Sequence, residues 1–207
     1  MYCALSGIAF ETVALGDAIE LVTGDYRKRN GGFIFPNPNA PTGRTLSLDA
    51  SVALVRATRD SVVVIDEAYI AFGGQSAVPL IDKYENLLVI QTLSKSHGLA
   101  GLRVGAAFGD AGLVGGGPRG TNRFAPHPLA RLAIAGAVAA VNDRDHYEQT
   151  RAKVVASRER LATALSARDF EVLPSAANFL FVHHRNHDAE GLSAALRERA
   201  IIVRHFS

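Results

Sequence analysis

Lys95 lies in Thr92-Leu93-Ser94-Lys95-Ser96-His97-Gly98-Leu99-Ala100-Gly101-Leu102-Arg103, with hydroxyls one and three positions before it and an arginine eight after. This arrangement suits an aldehyde cofactor that carries a phosphate. The amine forms an imine with the aldehyde and then leaves to carry protons at a substrate Cα. Ser94, Thr92 and Arg103 supply two hydroxyls and a planar guanidinium for the phosphate, and Gly98 and Gly101 let the chain turn closely between lysine and arginine. Upstream, the apolar run Val62-Val63-Val64-Ile65 ends in Asp66-Glu67-Ala68-Tyr69. A buried carboxylate keeps the ring nitrogen of such a cofactor protonated, which makes the ring a better electron sink. Asp66 fits that role, and Tyr69, three residues on, is placed to meet the phenolic oxygen. Together these residues read as a pyridoxal phosphate site. Considered alone, Lys95 is a solvated charge; Asp66, Tyr69 and Arg103 at these spacings reverse that reading.

The elements that must position these groups follow from the apolar pattern. Gly32 to Phe35, Val62 to Ile65 and Leu87 to Ile90 are short apolar runs that end in polar or glycine-containing turns, and they read as buried strands. Between the first two, Ser47 is an N-cap, and Ala53, Leu54 and Ala57 give a helix its apolar face. Strand, helix, strand implies an α/β fold with a mostly parallel sheet and flanking helices. Ligands gather at the carboxyl ends of such strands, where the loop Asn37-Pro38-Asn39-Ala40-Pro41-Thr42-Gly43, Asp66 and Lys95 all fall. Further on, a glycine-rich stretch from Gly115 to Gly120 reads as a flexible linker. A long helical region is expected from about Leu129 to Arg168, with Val154, Leu161 and Leu165 as its stripe. Phe179 to Val182 reads as a strand, Ala189 to Arg199 as a helix and Ile201 to Val203 as a final strand, forming part of a smaller α+β domain. The division expected is a large domain over 1–142 and a partial small C-terminal domain over 143–207.

Composition narrows the classes. The 207 residues are 48% hydrophobic with a net charge of +2, enough for one substantial core. Charges are scattered; the short run Arg27-Lys28-Arg29 reads as a solvated turn, so no nucleic-acid partner is expected. No stretch approaches the roughly 18 apolar residues of a membrane span, so no membrane partner is expected either. Cys3 is the single cysteine, which excludes an intrachain disulfide framework and a cysteine-based zinc cluster and favours a reducing, cytoplasmic setting. His183, His184 and His187 straddle a strand end, where neighbouring side chains point to opposite faces, and no metal site is expected there. His97 reads as a loop-packing or solvent-facing residue, since the lysine already serves as the base.

The chain resembles the fold type I pyridoxal phosphate-dependent aminotransferases, and within them the histidinol-phosphate branch. The resemblance rests on Asn37 to Gly43, Asp66 to Phe72, Thr92 to Arg103, Pro174-Ser175-Ala176-Ala177-Asn178-Phe179 and Ile201-Ile202-Val203-Arg204. It implies amino-group transfer between histidinol phosphate with its oxo form and glutamate with 2-oxoglutarate, within histidine biosynthesis, by an enzyme that is a homodimer when complete. It further implies that Lys95 is the Schiff-base lysine, Asp66 the pyridinium partner and Tyr69 the phenolic-oxygen donor, with Ser94 and Arg103 on the cofactor phosphate. Arg204 matches an arginine on the anionic substrate, or is a surface arginine after a strand. Asn178 lies where the family lines its substrate pocket, or caps a turn.

Three departures stand out. The asparagine that bonds the cofactor ring in relatives is Ala40 here, so Asn39 or Asn37 replaces it or the contact is absent. Gly115 to Gly120 stands where relatives carry a charged helix. The family also has a long N-terminal segment and a C-terminal region that are not matched, so the chain is expected to be an internal fragment lacking both ends. The alternatives are a related enzyme of the same fold, either an aromatic amino acid aminotransferase or a threonine-phosphate decarboxylase, or a truncated chain without catalysis.

Overall fold

A computed structural model describes residues 2–5, 7–16, 21–27, 30–115 and 129–206. Its centre is a four-stranded sheet of β1 (Gly32–Pro36), β2 (Val62–Asp66), β3 (Leu87–Thr92) and β4 (Gly105–Gly109), in that spatial order. β1, β2 and β3 run parallel and β4 is antiparallel to β3. The three expected strands are present, each extended slightly at its carboxyl end. β4 was not anticipated, because Gly105-Ala106-Ala107-Phe108-Gly109 carries little β-branched or aromatic content.

After a short α1 (Tyr2–Leu5), α2 (Leu48–Ala57) crosses from β1 to β2. Its first turn is closed by Ser47, whose hydroxyl accepts from the Ala50 amide at 3.2 Å. At its other end the Asn86 amide group donates to the carbonyls of Val55, Thr58 and Ser61, joining the helix exit to the start of β2. Leu54 and Val55 of α2 pack with Phe35, Val63, Ile65, Leu87 and Val89 to form the core. Each such side chain taken fully out of water contributes about 1.5–3 kcal/mol. On the opposite sheet face Ile34 is 62% exposed, so the two faces of the sheet are unequally covered.

Glu67 sits at the end of β2 with 2% of its surface exposed. Its carboxylate accepts from the Ala77 amide and the Ser76 hydroxyl, each at 2.6 Å, and from Gln91 Nε2 at 2.8 Å. Three donors from two segments compensate its loss of water.

The region expected as one helix is two: α4 (Arg131–Asn142) and α5 (Arg144–Ser166), after a short α3 (Leu93–Ser96) at the lysine segment. The break falls at Asp143, whose side chain accepts from the His146 amide at 3.2 Å and so starts a new helix. Along α5, Val154 and Leu165 are partly covered as expected, but Leu161 is 53% exposed. The covered stripe instead runs through Arg151, Val154, Val155, Arg158, Ala162 and Leu165, because two arginines on that face meet backbone carbonyls. Of the glycine-rich stretch, residues 116–120 lie outside the described residues, as do Lys28 and Arg29.

A second sheet pairs β5 (Phe170–Val172) with β6 (Val182–His184), antiparallel. β6 begins three residues later than the expected strand at Phe179, because residues 175–178 turn to dock on the main body. α6 (Ala189–Glu198) follows, with Asp188 accepting from the Gly191 amide at 2.7 Å. The expected final strand at Ile201 to Val203 is instead exposed, non-strand chain. Ala200 ends α6 in the left-handed region at φ 59°, and the Ile201 amide bonds back to the Leu196 carbonyl at 2.9 Å. That closure ends the helix, and the tail that follows meets Phe181 through the Phe206 ring at 5.8 Å rather than by strand pairing.

Two stability measurements test these features. Glu67→Ala removes the acceptor shared by three donors, leaving the buried Ala77 amide without a partner, and is expected to cost about 3 kcal/mol in urea unfolding. Ala200→Gly removes the left-handed penalty at one position and is expected to raise stability by about 1 kcal/mol in the same assay.

Candidate active site

Sheet register brings the sequence-predicted groups to one edge. Pro36 pairs with Asp66 and Asp66 with Ile90, so the carboxyl ends of β1 and β2 are level and β3 runs on to Thr92 at the same edge. The loop from Asn37, the turn carrying Tyr69 and the lysine segment therefore leave the sheet side by side. Thr92 pairs with Gly105 across the antiparallel step, which returns Arg103 to the same edge. Because Glu67 is held on the core side, Asp66 falls on the other side of the pleat. The Asp66 Oδ1 accepts from the Ala68 amide at 3.0 Å, which opens the turn toward Tyr69.

Lys95 is exposed, and its Nζ lies 5.4 Å from the centroid of the Tyr69 ring. Tyr69 in turn meets Phe179 edge-on at 5.0 Å. This aromatic pair links the lysine to the segment that carries Asn178. Thr92 caps the lysine-bearing turn: its Oγ1 accepts from the Ser94 amide at 3.1 Å and lies 3.2 Å from the Val104 carbonyl. The Thr92 and Ser94 hydroxyls are 2.9 Å apart. Arg103 adopts the left-handed conformation at φ 58°, with its exposed guanidinium donating to the Ala100 carbonyl at 3.1 Å.

The two asparagines of the first loop differ in what they hold. Asn37 is 3% exposed and pairs through both amide atoms with the backbone of Leu46, at 2.8 and 3.1 Å. Its side chain is a scaffold for the loop. Asn39 Oδ1 accepts from the Thr42 hydroxyl at 2.8 Å and its amide at 3.3 Å, and the residue lines a hollow of about 110 Å³ shared with Arg44 and Leu15.

A larger cavity of about 480 Å³ opens beside Lys95. Lys95 and Asn178 both line it, with His97, His146, Tyr147 and Arg151. Asp66, Tyr69, Thr92, Ser94 and Arg103 lie at the same sheet end but do not line this cavity, and neither does Arg204. The Arg204 guanidinium lies 5.0 Å from the Phe206 ring, out on the exposed tail.

The contribution of α5 was not legible from spacing. His97 stacks on Tyr147 at 4.6 Å, with 24° between the ring planes, and its Nδ1 is 3.0 Å from the Ser96 hydroxyl. Burial holds the His97 imidazole below its ordinary value. Burial also raises the Tyr147 phenol, despite the opposing pull of Arg151. His97 thus joins the lysine segment to α5 through its ring stack. Gly43, at φ 77°, receives Ser175 so closely that an added Cβ would lie 2.7 Å from the Ser175 Cβ. The Ala176 amide donates to the Gly43 carbonyl at 2.8 Å. The histidines of the C-terminal part are arranged otherwise: His184 and His187 rings lie 4.5 Å apart and His184 also meets Phe170. Among the described residues no three His, Cys, Asp or Glu side chains are grouped to hold a metal, and no helix is long and apolar enough to cross a membrane.

His97 makes stability depend on pH. With its folded value lowered, the unfolded chain takes up the proton first as pH falls below 6.5, so stability is full above that value and declines beneath it until the folded imidazole is also protonated. His97→Phe keeps the ring stack and is expected to flatten this slope, read as urea midpoints between about pH 5 and 7.5.

The arrangement agrees with what the chain is similar to. The family described as aminotransferase class I and II matches residues 2–207. The histidinol-phosphate aminotransferase of Pseudomonas entomophila is 56% identical over 206 residues, covering 100% of this chain and 59% of the relative. Histidinol-phosphate aminotransferase 1 of Pseudomonas aeruginosa has the same identity and coverage. This chain therefore spans 59% of the length of either relative. The crystal structure of histidinol-phosphate aminotransferase from Sinorhizobium meliloti in complex with pyridoxal-5'-phosphate superposes with a TM-score of 0.86 at 26% identity, over 98% of this chain and 57% of that one. With its parallel strands delivering Asp66, Tyr69 and Lys95 to one edge and the family match running from residue 2 to residue 207, the chain belongs to the class I and II aminotransferases.

Proposed function

We propose that the chain forms the lysine-bearing part of a pyridoxal phosphate-dependent aminotransferase that exchanges the amino group of histidinol phosphate with 2-oxoglutarate, in histidine biosynthesis. The observation that carries the reading is the Lys95 amine 5.4 Å from the Tyr69 ring, on a turn that leaves the sheet at the same edge as Asp66. The names of the relatives from Pseudomonas support the substrate.

The residues at this edge fit pyridoxal phosphate by their chemistry: one carboxylate, one amine, a phenol, hydroxyls and a guanidinium. When bound, the cofactor supplies an aldehyde that captures amines and a ring that accepts electrons. Asp66 holds a proton at the ring nitrogen. Tyr69 donates from its hydroxyl to the phenolic oxygen, while Ser94 and Arg103 hold the phosphate and Thr92 fixes Ser94. Asn39 is the ring contact in place of the family's asparagine at Ala40; Asn37 has both amide atoms committed to Leu46. Lys95 Nζ would accept the proton from the substrate Cα and return it to the cofactor's aldehyde carbon, on the far side of the shared nitrogen. Asn178 orients the substrate from across the cavity, a role supported by its place in the lining. Arg204 on the substrate's anionic group rests on the motif alone. The reading also includes a homodimer for the complete protein, a cytoplasmic setting suggested by the lone Cys3, and a boundary between large and small domains at Asn142 and Asp143, where α4 ends.

Borohydride reduction of the chain with added pyridoxal phosphate, followed by peptide mapping, tests the assignment. The label is expected on Lys95 and absent in Lys95→Ala. Equal labelling of Lys83 and Lys153 would sink it. In the complete protein, Lys95→Ala is expected to reduce turnover of histidinol phosphate with 2-oxoglutarate to background.

A further inference from the structure

The inner face of α5 carries Arg151 and Arg158, two helical turns apart. Both reach backbone carbonyls at the end of the turn that follows Tyr69. Arg151 Nη1 donates to the Ala71 carbonyl at 3.5 Å and is otherwise paired with Glu148. Arg158 is different in kind. Its side chain is 10% exposed, and a single nitrogen, Nη1, donates to the Phe72 carbonyl at 3.2 Å and the Ala177 carbonyl at 2.8 Å. Its remaining donors, Nε and Nη2, go to Glu159 at 3.0 and 2.7 Å.

The two carbonyls belong to segments far apart in sequence. Phe72 ends the short 3-10 turn Ile70–Phe72, immediately after Tyr69. Ala177 is fully buried and immediately precedes Asn178. Phe72 and Asn178 both line the cavity beside Lys95. Close packing already brings the two segments together, since an added Cβ on Gly73 would lie 2.8 Å from the Ala176 Cβ. Packing alone leaves the two inward carbonyls without a common donor, and a charged, planar guanidinium supplies one with fixed direction.

From this geometry we infer that Arg158 is a positioning residue: one guanidinium ties the Tyr69 turn to the Asn178 segment and thereby sets the width of the cavity beside Lys95. It touches neither the amine nor the proposed substrate directly. The functional consequence rests on the pyridoxal phosphate reading above; the tie itself does not.

Hydrogen exchange resolved to single amides separates the two. The Phe72 and Gly73 amides bond within the Tyr69 turn, and the Ala176 amide bonds to Gly43. In Arg158→Gln these three amides are expected to exchange about tenfold faster or more, while the Val63 and Glu67 amides of the main sheet keep their rates. Arg158→Lys retains a charge and a donor and is expected to recover part of the protection in both segments. Arg151→Gln is expected to affect the Tyr69 turn alone. In the same Arg158→Gln chain, borohydride capture of pyridoxal phosphate at Lys95 is expected to slow about fivefold or more, with partial rescue by Arg158→Lys. Unchanged exchange in either segment, or acceleration spread evenly over the main sheet, would overturn the inference. Should Lys95 of the unsubstituted chain capture no cofactor, the cofactor reading fails while the exchange rates still decide the role of Arg158.

Discussion

The buried Glu67 carboxylate is the interaction on which the rest of the site depends. Neighbouring residues on a strand face opposite ways, so whatever holds Glu67 on the core side also presents Asp66 on the other. The donors that hold it come from Ser76 and Ala77 after the Tyr69 turn and from Gln91 on β3. One carboxylate therefore fixes the orientation at the end of β2, the return of the loop after it and the distance to the neighbouring strand that leads into Lys95. A hydrophobic side chain of similar size could fill the volume but would leave the Ala77 amide without a partner.

Around that anchor the molecule is assembled in two steps of different character. The main sheet is apolar and close-packed, with Val63, Ile65, Leu87 and Val89 all excluded from water. The junction with the C-terminal part is polar: Arg151 and Arg158 on backbone carbonyls, Ser175 against Gly43, and the His97–Tyr147 stack. Apolar packing makes the sheet edge rigid, whereas directional bonds set the separation of pieces that line a cavity. A site that must hold an amine, a phenol and an amide in fixed relation has use for both.

In the proposed chemistry, the lysine is the mobile member and everything about it is held. Lys95 is exposed and extends beside the Tyr69 ring, while Thr92, the last residue of β3, caps the segment the lysine sits on. Thr92 is consequently a support for Ser94 more than an independent ligand. Asn37, which spacing alone could not separate from Asn39, pairs with Leu46 like one more strand residue.

Local sequence determined the parallel strands, the capped helix after Ser47, the loop at Asn37 to Gly43 and the set Asp66, Tyr69 and Lys95, because apolar runs, caps and turn residues act over a few positions and carry their signal in order along the chain. It did not determine β4, whose small residues become a strand only because β3 offers an edge to pair with. Nor did it reveal the break at Asp143, the exposed tail at Ile201 to Val203, or the place of Arg204 outside the cavity. Those outcomes depend on partners distant in sequence: a strand needs a free neighbour, and a helix face is buried only where something meets it. Arg158 shows the limit most clearly, since on a charged helix it reads as one more solvated arginine. Only the folded chain brings the carbonyls of Phe72 and Ala177 to the same guanidinium.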